Sequence, residues 1–243
     1  MHYFVSDIHL GSGTEAVQRQ VERTFLDFLA KIEGDAESLF LVGDIFDFWF
    51  EYKRVVSKGF VRVLGRLAEL SDKGVRVVML TGNHDMWVGD YLTKECGIEL
   101  YTKPQTFALA GKTLFVAHGD NMNIADQPIL RLMNRTFRSK RLRKVASWLI
   151  HPDLFLRFGK WWSGKSRKSH SKELNERVLS PLISYAEEYG KEHEIDSFVF
   201  GHLHYAADIC TTQRILFLGD WHTQPSYVQL DNDGKIELKF YKS

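Results

Sequence analysis

The stretch Val77-Val78-Met79-Leu80-Thr81-Gly82-Asn83-His84-Asp85 is a short apolar run that ends in side chains able to bind a metal or move a proton. Four other stretches share this design. Tyr3-Phe4-Val5-Ser6 runs into Asp7-Ile8-His9, and Leu39-Phe40-Leu41-Val42 into Gly43-Asp44-Ile45-Phe46-Asp47. Leu114-Phe115-Val116-Ala117 leads to His118-Gly119-Asp120, and Phe198-Val199-Phe200 to Gly201-His202-Leu203-His204. Runs of this length, rich in β-branched and aromatic residues, predict strands buried on both faces. A buried strand delivers whatever follows it to one edge of a sheet. The five runs can therefore gather Asp7, His9, Asp44, Asn83, His118, His202 and His204 in one place. Any one of these histidines alone reads as an ordinary core or surface residue. Together they predict a two-metal hydrolytic site.

Working outward, strand and helix alternate from residue 1 to about 120, which argues for an α/β core. Helices are expected over 15–33, 54–72 and 87–96, and a strand pair over 98–118 that turns at Ala110-Gly111. Residues 121–190 read as mostly helical, with breaks at His151-Pro152 and in the Ser/Lys/Gly stretch 163–171. Strands return at 196–201, 206–210, 214–219, 226–231 and 235–241, the last two joined through Asp231-Asn232-Asp233-Gly234. No internal repeat is present. The expected organisation is one domain over 1–243, with a helical basic and aromatic insertion, or lid, at about 121–190 beside the site.

The net charge of +1 hides an asymmetry. Residues 131–172 carry thirteen Lys/Arg against a single acid, Asp153, so that segment is +12 and the remainder −11. Charge concentrated in this way faces an anionic partner. No stretch approaches the ~18 uninterrupted apolar residues of a membrane helix. A cleaved leader is not expected, because its removal would discard Asp7 and His9. Cys96 and Cys210 lack C-x-x-C spacing and read as reduced thiols of a cytoplasmic protein.

Asp7 and His9 are two residues apart, as are His202 and His204, so extended chain would point each pair one way. Mixed carboxylate and imidazole donors suit Mn, Fe or Zn better than Mg or Ca. Two neighbouring dications repel, and a shared carboxylate relieves the repulsion. Asp44, preceded by a glycine that lets the backbone crowd the site, is the candidate bridge. Asn83 offers a neutral oxygen and His118 another nitrogen. His2, His151, His170 and His193 carry a structural reading.

In order and residue type these motifs closely resemble those of the calcineurin-like metallophosphoesterase family, from Asp7 to His204. The resemblance implies a four-layer α-β-β-α sandwich with a dinuclear centre at the strand ends. It implies Asp7, His9, Asp44 and His204 on one metal, and Asp44, Asn83, His118 and His202 on the other. His84 would contact the phosphate and protonate the leaving group, oriented by Asp85. This chemistry is sound: paired dications ionise water near neutral pH and absorb charge developing at phosphorus, and imidazole titrates in the range an acid catalyst needs. Asp47 either orients a ligand histidine or caps its loop.

Asp7-Ile8-His9-Leu10, Gly43-Asp44-Ile45-Phe46-Asp47-Phe48-Trp49, His118-Gly119-Asp120, Ser171-Lys172-Glu173 with Asn175, and Gly219-Asp220-Trp221-His222-Thr223 further resemble one branch of that family. These are the UDP-2,3-diacylglucosamine pyrophosphohydrolases of bacterial lipid A synthesis, a likeness that covers almost the whole chain. It implies cleavage of an acylated sugar nucleotide to UMP and a lipid monophosphate, with two divalent ions, manganese above others. It implies substrate contacts from Asn83, His84, Asp126, Ser171, Asn175 and His202. Two positions depart from the branch: His84 stands where its best-known members have arginine, and Val178 where they have lysine, with Arg177 beside it as a substitute. Aromatic and aliphatic residues among the cations of 128–162 suit acyl chains and an anionic membrane surface, on the cytoplasmic face of the inner membrane. The rival partner for the basic segment is nucleic acid, disfavoured because the aromatics cluster with Leu and Ile and are not spaced for base stacking. The rival class is a non-catalytic scaffold, against which every ligand position holds a competent residue.

Overall fold

A computed structural model describes residues 1–122, 132, 136, 138–154, 157, 159 and 176–242; within these, the side chains of residues 140, 143, 146 and 176–178 are not described. Two sheets face each other. The first contains β1 (His2–Val5), β2 (Ser38–Val42), β3 (Arg76–Leu80), β4 (Glu99–Tyr101), β10 (Ser226–Leu230) and β11 (Ile236–Phe240), ordered β11-β10-β1-β2-β3-β4. The second contains β5 (Gln105–Leu109), β6 (Lys112–Ala117), β7 (Ser197–Phe200), β8 (Ala207–Cys210) and β9 (Arg214–Phe217), ordered β5-β6-β7-β9-β8. β1, β2 and β3 run parallel, as do β6, β7 and β9.

The two-residue period of the strands sorts their side chains into layers. From β1, Tyr3 and Val5 pack with α1 (Glu15–Ile32), α2 (Val61–Asp72) and α3 (Tyr91–Cys96), whereas Phe4 points between the sheets. There Phe4 stacks on Phe40 with ring centroids 4.5 Å apart, amid Val42, Val78, Leu80, Leu114, Val116 and Val199. On the far face of the second sheet, Phe115, Phe198, Phe200 and Phe217 pack against Leu182 and Ala186 of α5 (Glu176–Glu192). The layers are thus helix, sheet, sheet, helix. Burying an aromatic or aliphatic side chain contributes about 1.5–3 kcal/mol, and both faces of β1, β2 and β7 are buried throughout. Another helix, α4 (Lys140–Leu149), belongs to the basic segment.

Three local expectations change. α2 begins at Val61, not at residue 54, because Gly59 (φ 107°) and Phe60 (φ 59°) hold left-handed backbone that no α-helix accommodates. α3 begins at Tyr91, not 87: Trp87 forms an isolated bridge with Phe50, and Gly89-Asp90 separates it from the helix. The region 98–118 is three strands in two sheets, with Thr102-Lys103-Pro104 carrying the chain from β4 at the edge of the first sheet to the β5–β6 hairpin of the second. The hairpin turn at Ala110-Gly111 has positive φ at both residues, the conformation that matches strand twist in a two-residue connection.

Candidate dinuclear metal centre

The C-terminal ends of β1, β2, β3, β6 and β7 open onto one rim. Their loops are tied together through the backbone: Asp7 N–H donates to Gly43 O, His9 N–H to Asp44 O, Gly201 N–H to His118 O, and Trp221 N–H to Asp7 O. Seven non-glycine residues among those described have positive φ, and five of them are Asp7, His9, Asp44, His202 and His204. Such backbone costs about 1–3 kcal/mol per residue and persists only where the surroundings impose it. Here it turns side chains that would otherwise follow the strand pleat into a single pocket.

Glycines make the approach possible. A Cβ on Gly82 would lie 2.1 Å from Asp44 Oδ1, one on Gly43 2.6 Å from His118 Nδ1, and one on Gly201 2.1 Å from Ser6 Oγ. Gly82→Ala should therefore lower stability by about 1–3 kcal/mol and displace Asp44; urea denaturation and metal titration of the variant check both effects.

Each central carboxylate spends one oxygen on the scaffold and presents the other to the site. Asp7 Oδ2 accepts from His202 N–H (2.9 Å), and Asp44 Oδ1 from His84 N–H (2.9 Å). Asp7 Oδ1 then lies 3.3 Å from His204 Nε2 and 3.7 Å from His9 Nε2. Asp44 Oδ2 lies 3.3 Å from His118 Nε2 and 3.8 Å from both His9 Nε2 and His84 Nε2. Ring nitrogens are assigned by their partners. His118 Nδ1–H donates to Val42 O (2.9 Å) and His84 Nδ1–H to Asp47 O (2.8 Å), so in each case Nε2 faces the pocket. Asn83 Oδ1 sits 3.3 Å from His118 Nε2.

Among the described residues, three groups bring their ligand atoms within 4.8 Å of one another: Asp7, His9 and His204; His9, Asp44 and His84; and Asp44, His118 and His202. The middle group links the outer two, sharing His9 with one and Asp44 with the other. The donors fit divalent ions. Asp7 Oδ1 is fully buried without a hydrogen-bond donor, and the Nε2 atoms of His9 and His204 face each other at 3.1 Å. Without a cation, one imidazole must carry a proton to keep lone pairs from opposing lone pairs.

Electrostatics agree. Burial opposes ionisation of Asp7 and Asp44, but the surrounding imidazoles outweigh it and hold both carboxyls well below the usual range. Burial likewise opposes charge on His118, yet Asp44 pushes its pKa up to about 10; His202, buried beside His118, is pushed down to about 4. The pocket thus holds carboxylates that demand positive charge.

Asp85 takes a different place from the expected one. Its oxygens accept from Gly82 N–H (2.7 Å) and Ile45 N–H (2.9 Å), stitching two ligand loops together, while the Asp47 carbonyl orients the His84 ring. Burial and the Asp44 charge push the Asp85 pKa up to about 6, partly offset by the Gly82 N–H. The Asp47 carboxylate is 3.9 Å from His9 Nδ1. A backbone carbonyl as ring orienter leaves no mark in side-chain motifs. Trp221, packed on Phe25 and Phe28 and bonded to Asp7 O, is another support; the motif Gly219-Asp220-Trp221-His222-Thr223 marks it in sequence without tying it to Asp7.

Asp126, Ser171 and Asn175 lie outside the described residues, and Arg177 is described only as backbone of α5. The described part of the basic segment touches the rim at three points. Arg138 pairs with Asp120 (2.6 Å), Tyr52 O–H donates to Ile150 O (3.2 Å), and Gly159 lies against the Phe48 ring. On α4, Leu142, Val145, Trp148 and Leu149 are exposed, Trp148 at 84%.

Comparison with known proteins follows this geometry. The family model for calcineurin-like phosphoesterases matches residues 3–206. A UDP-2,3-diacylglucosamine hydrolase of Porphyromonas gingivalis is 37% identical over 245 residues, covering 94% of this chain and 93% of its own. One from Stutzerimonas stutzeri is 28% identical over 251 residues, covering 99% of each. With all five strand-end motifs inside the matched span, the chain belongs to the calcineurin-like phosphoesterase family.

Proposed function

We propose that this metal-dependent hydrolase cleaves the pyrophosphate of UDP-2,3-diacylglucosamine, a lipid A precursor, to UMP and 2,3-diacylglucosamine 1-phosphate. The observation that carries the reading is the row of potential metal-binding groups linked through His9 and Asp44, in a chain that aligns over nearly its whole length with hydrolases named for that substrate. Asp7, His9, Asp44 and His204 would hold one ion and Asp44, Asn83, His118 and His202 the other, both manganese. When bound, the metals would supply Lewis acidity and ionise water near neutral pH. The protein's own part is to hold His118 and His84 in one tautomer through Val42 O and Asp47 O. His84 Nε2 is thereby free to meet the phosphate and hand a proton to the leaving oxygen. Product analysis tests this: manganese-loaded protein should release UMP and the lipid monophosphate. An intact sugar nucleotide beside a cleaved aryl phosphodiester would sink the substrate assignment and turn attention to nucleotides or nucleic acid.

Within 121–190, the part that precedes the sheet-packed stretch of α5 is read as the lid that receives the acyl chains, and Asp126, Ser171, Asn175 and Arg177 would contact the sugar phosphate. No helix among the described residues is long and apolar enough to cross a membrane. α4 instead joins an exposed apolar stripe, Leu142, Val145, Trp148 and Leu149, to exposed Arg141 and Lys144. This combination suits peripheral attachment to an anionic bilayer, on the cytoplasmic face of the inner membrane. Trp148→Asp should weaken binding to phosphatidylglycerol-containing vesicles by about tenfold, or about 1.4 kcal/mol. Unchanged flotation with the vesicles would refute the attachment.

A further inference from the structure

A second cavity adjoins the metal centre. A cleft of about 560 Å³ opens between the loop after β1, the exposed face of α1 and the segment before α2. Its volume lies within the ~300–1,000 Å³ of small-molecule sites. The inner end is made by Leu10 and Asp47, and Asp47 Oδ1 is 3.9 Å from His9 Nδ1. The cleft therefore begins at the His9 flank of the centre. The His118 flank is the one that Arg138 of the basic segment contacts through Asp120.

The lining combines two kinds of surface. Phe48, Phe60 and Val61 supply apolar and aromatic wall. The rim is ionic: Glu22 lies 4.0 Å from Arg19 and 3.7 Å from Arg62. Gln18 donates its Nε2–H to Gly13 O (2.8 Å) and keeps its amide oxygen as an acceptor. An acyl chain would gain little against such a rim. A nucleoside matches it, with a flat base for the aromatic wall and hydroxyls and ring edges for Gln18 and the charged rim.

We infer that this cleft is the nucleoside subsite, holding the base and ribose of the nucleotide half of the diphosphate while its phosphate sits at the metal centre. The inference rests on the substrate reading above. Its test reads UMP as a competitive inhibitor of bis(p-nitrophenyl) phosphate hydrolysis by the metal-loaded full chain, in wild type, Val61→Trp and Gln18→Ala. Val61 lines the cleft and is 76% exposed, so a tryptophan there obstructs the cleft without disturbing the core. The Ki for UMP should rise at least tenfold more than the KM for the aryl diester in Val61→Trp, and by a smaller factor in Gln18→Ala. The Ki for 2,3-diacylglucosamine 1-phosphate should not follow it. An unchanged UMP Ki in both variants, or an equal rise for both products, overturns the subsite. Incubating the same wild-type protein with UDP-2,3-diacylglucosamine judges the substrate reading separately. Cleavage of that compound together with an unchanged UMP Ki condemns the subsite alone.

Discussion

Replacing Asp44 with alanine should lower kcat/KM by at least about 10³-fold, more than the ~10²–10³ typical of one lost electrostatic contact, because as the proposed bridge this carboxylate would serve both halves of the centre. Its Oδ2 faces His118, His9 and His84, and its Oδ1 receives the His84 N–H. The alanine variant loses the shared ligand and the loop contact at once. Asp44→Asn separates them: its amide oxygen can still accept from His84 N–H, so the loop should keep its shape while the charge disappears. Metal content measured by plasma mass spectrometry should fall in both variants, and thermal stability more in the alanine variant. With Asp44 uncharged, Asp85 also loses one of the causes that raise its pKa. An asparagine variant that retains both ions and full activity would remove Asp44 from the role of bridge.

His84→Asn should reduce kcat by about 10²–10⁴-fold, the range for loss of a general acid, with a smaller change in KM. Metal content should hold, since Asp7, His9, His118, His202 and His204 remain. His84 owes its orientation to the Asp47 carbonyl and not to a side chain, so Asp47→Asn should leave the ring in place. Leaving-group dependence distinguishes proton transfer from simple charge. p-Nitrophenolate departs without a proton, so the variant should lose much less on an aryl diester than on an alkyl one. Equal losses on both would assign His84 to phosphate binding alone.

The metal-binding residue types were legible in the chain because each follows a strand that is recognisable by its own composition. Leu39-Phe40-Leu41-Val42 and Phe198-Val199-Phe200 are apolar at consecutive positions, as only strands covered on both faces require. What the spacing misjudged was backbone shape. Asp7 and His9 do not extend the pleat; each enters left-handed backbone, as do His202 and His204. Residues 54–60 looked helical, yet the left-handed pair Gly59-Phe60 ends the loop and builds one wall of the cleft. Asp85 looked like a partner for the neighbouring imidazole and instead bonds the backbone of two loops.

By itself, then, the sequence determined the doubly buried strands and the candidate donors that follow them, since both depend on residue type and on a two-residue period that local sterics impose; the layer order was implied by the resemblance to a known family. Tertiary structure decided which oxygen of Asp44 faces the site and which nitrogen of His84 and His118 is free. Those outcomes turn on backbone carbonyls and N–H groups brought together from loops far apart in the chain. Such groups are present in nearly every residue, so no side-chain pattern announces which of them will meet.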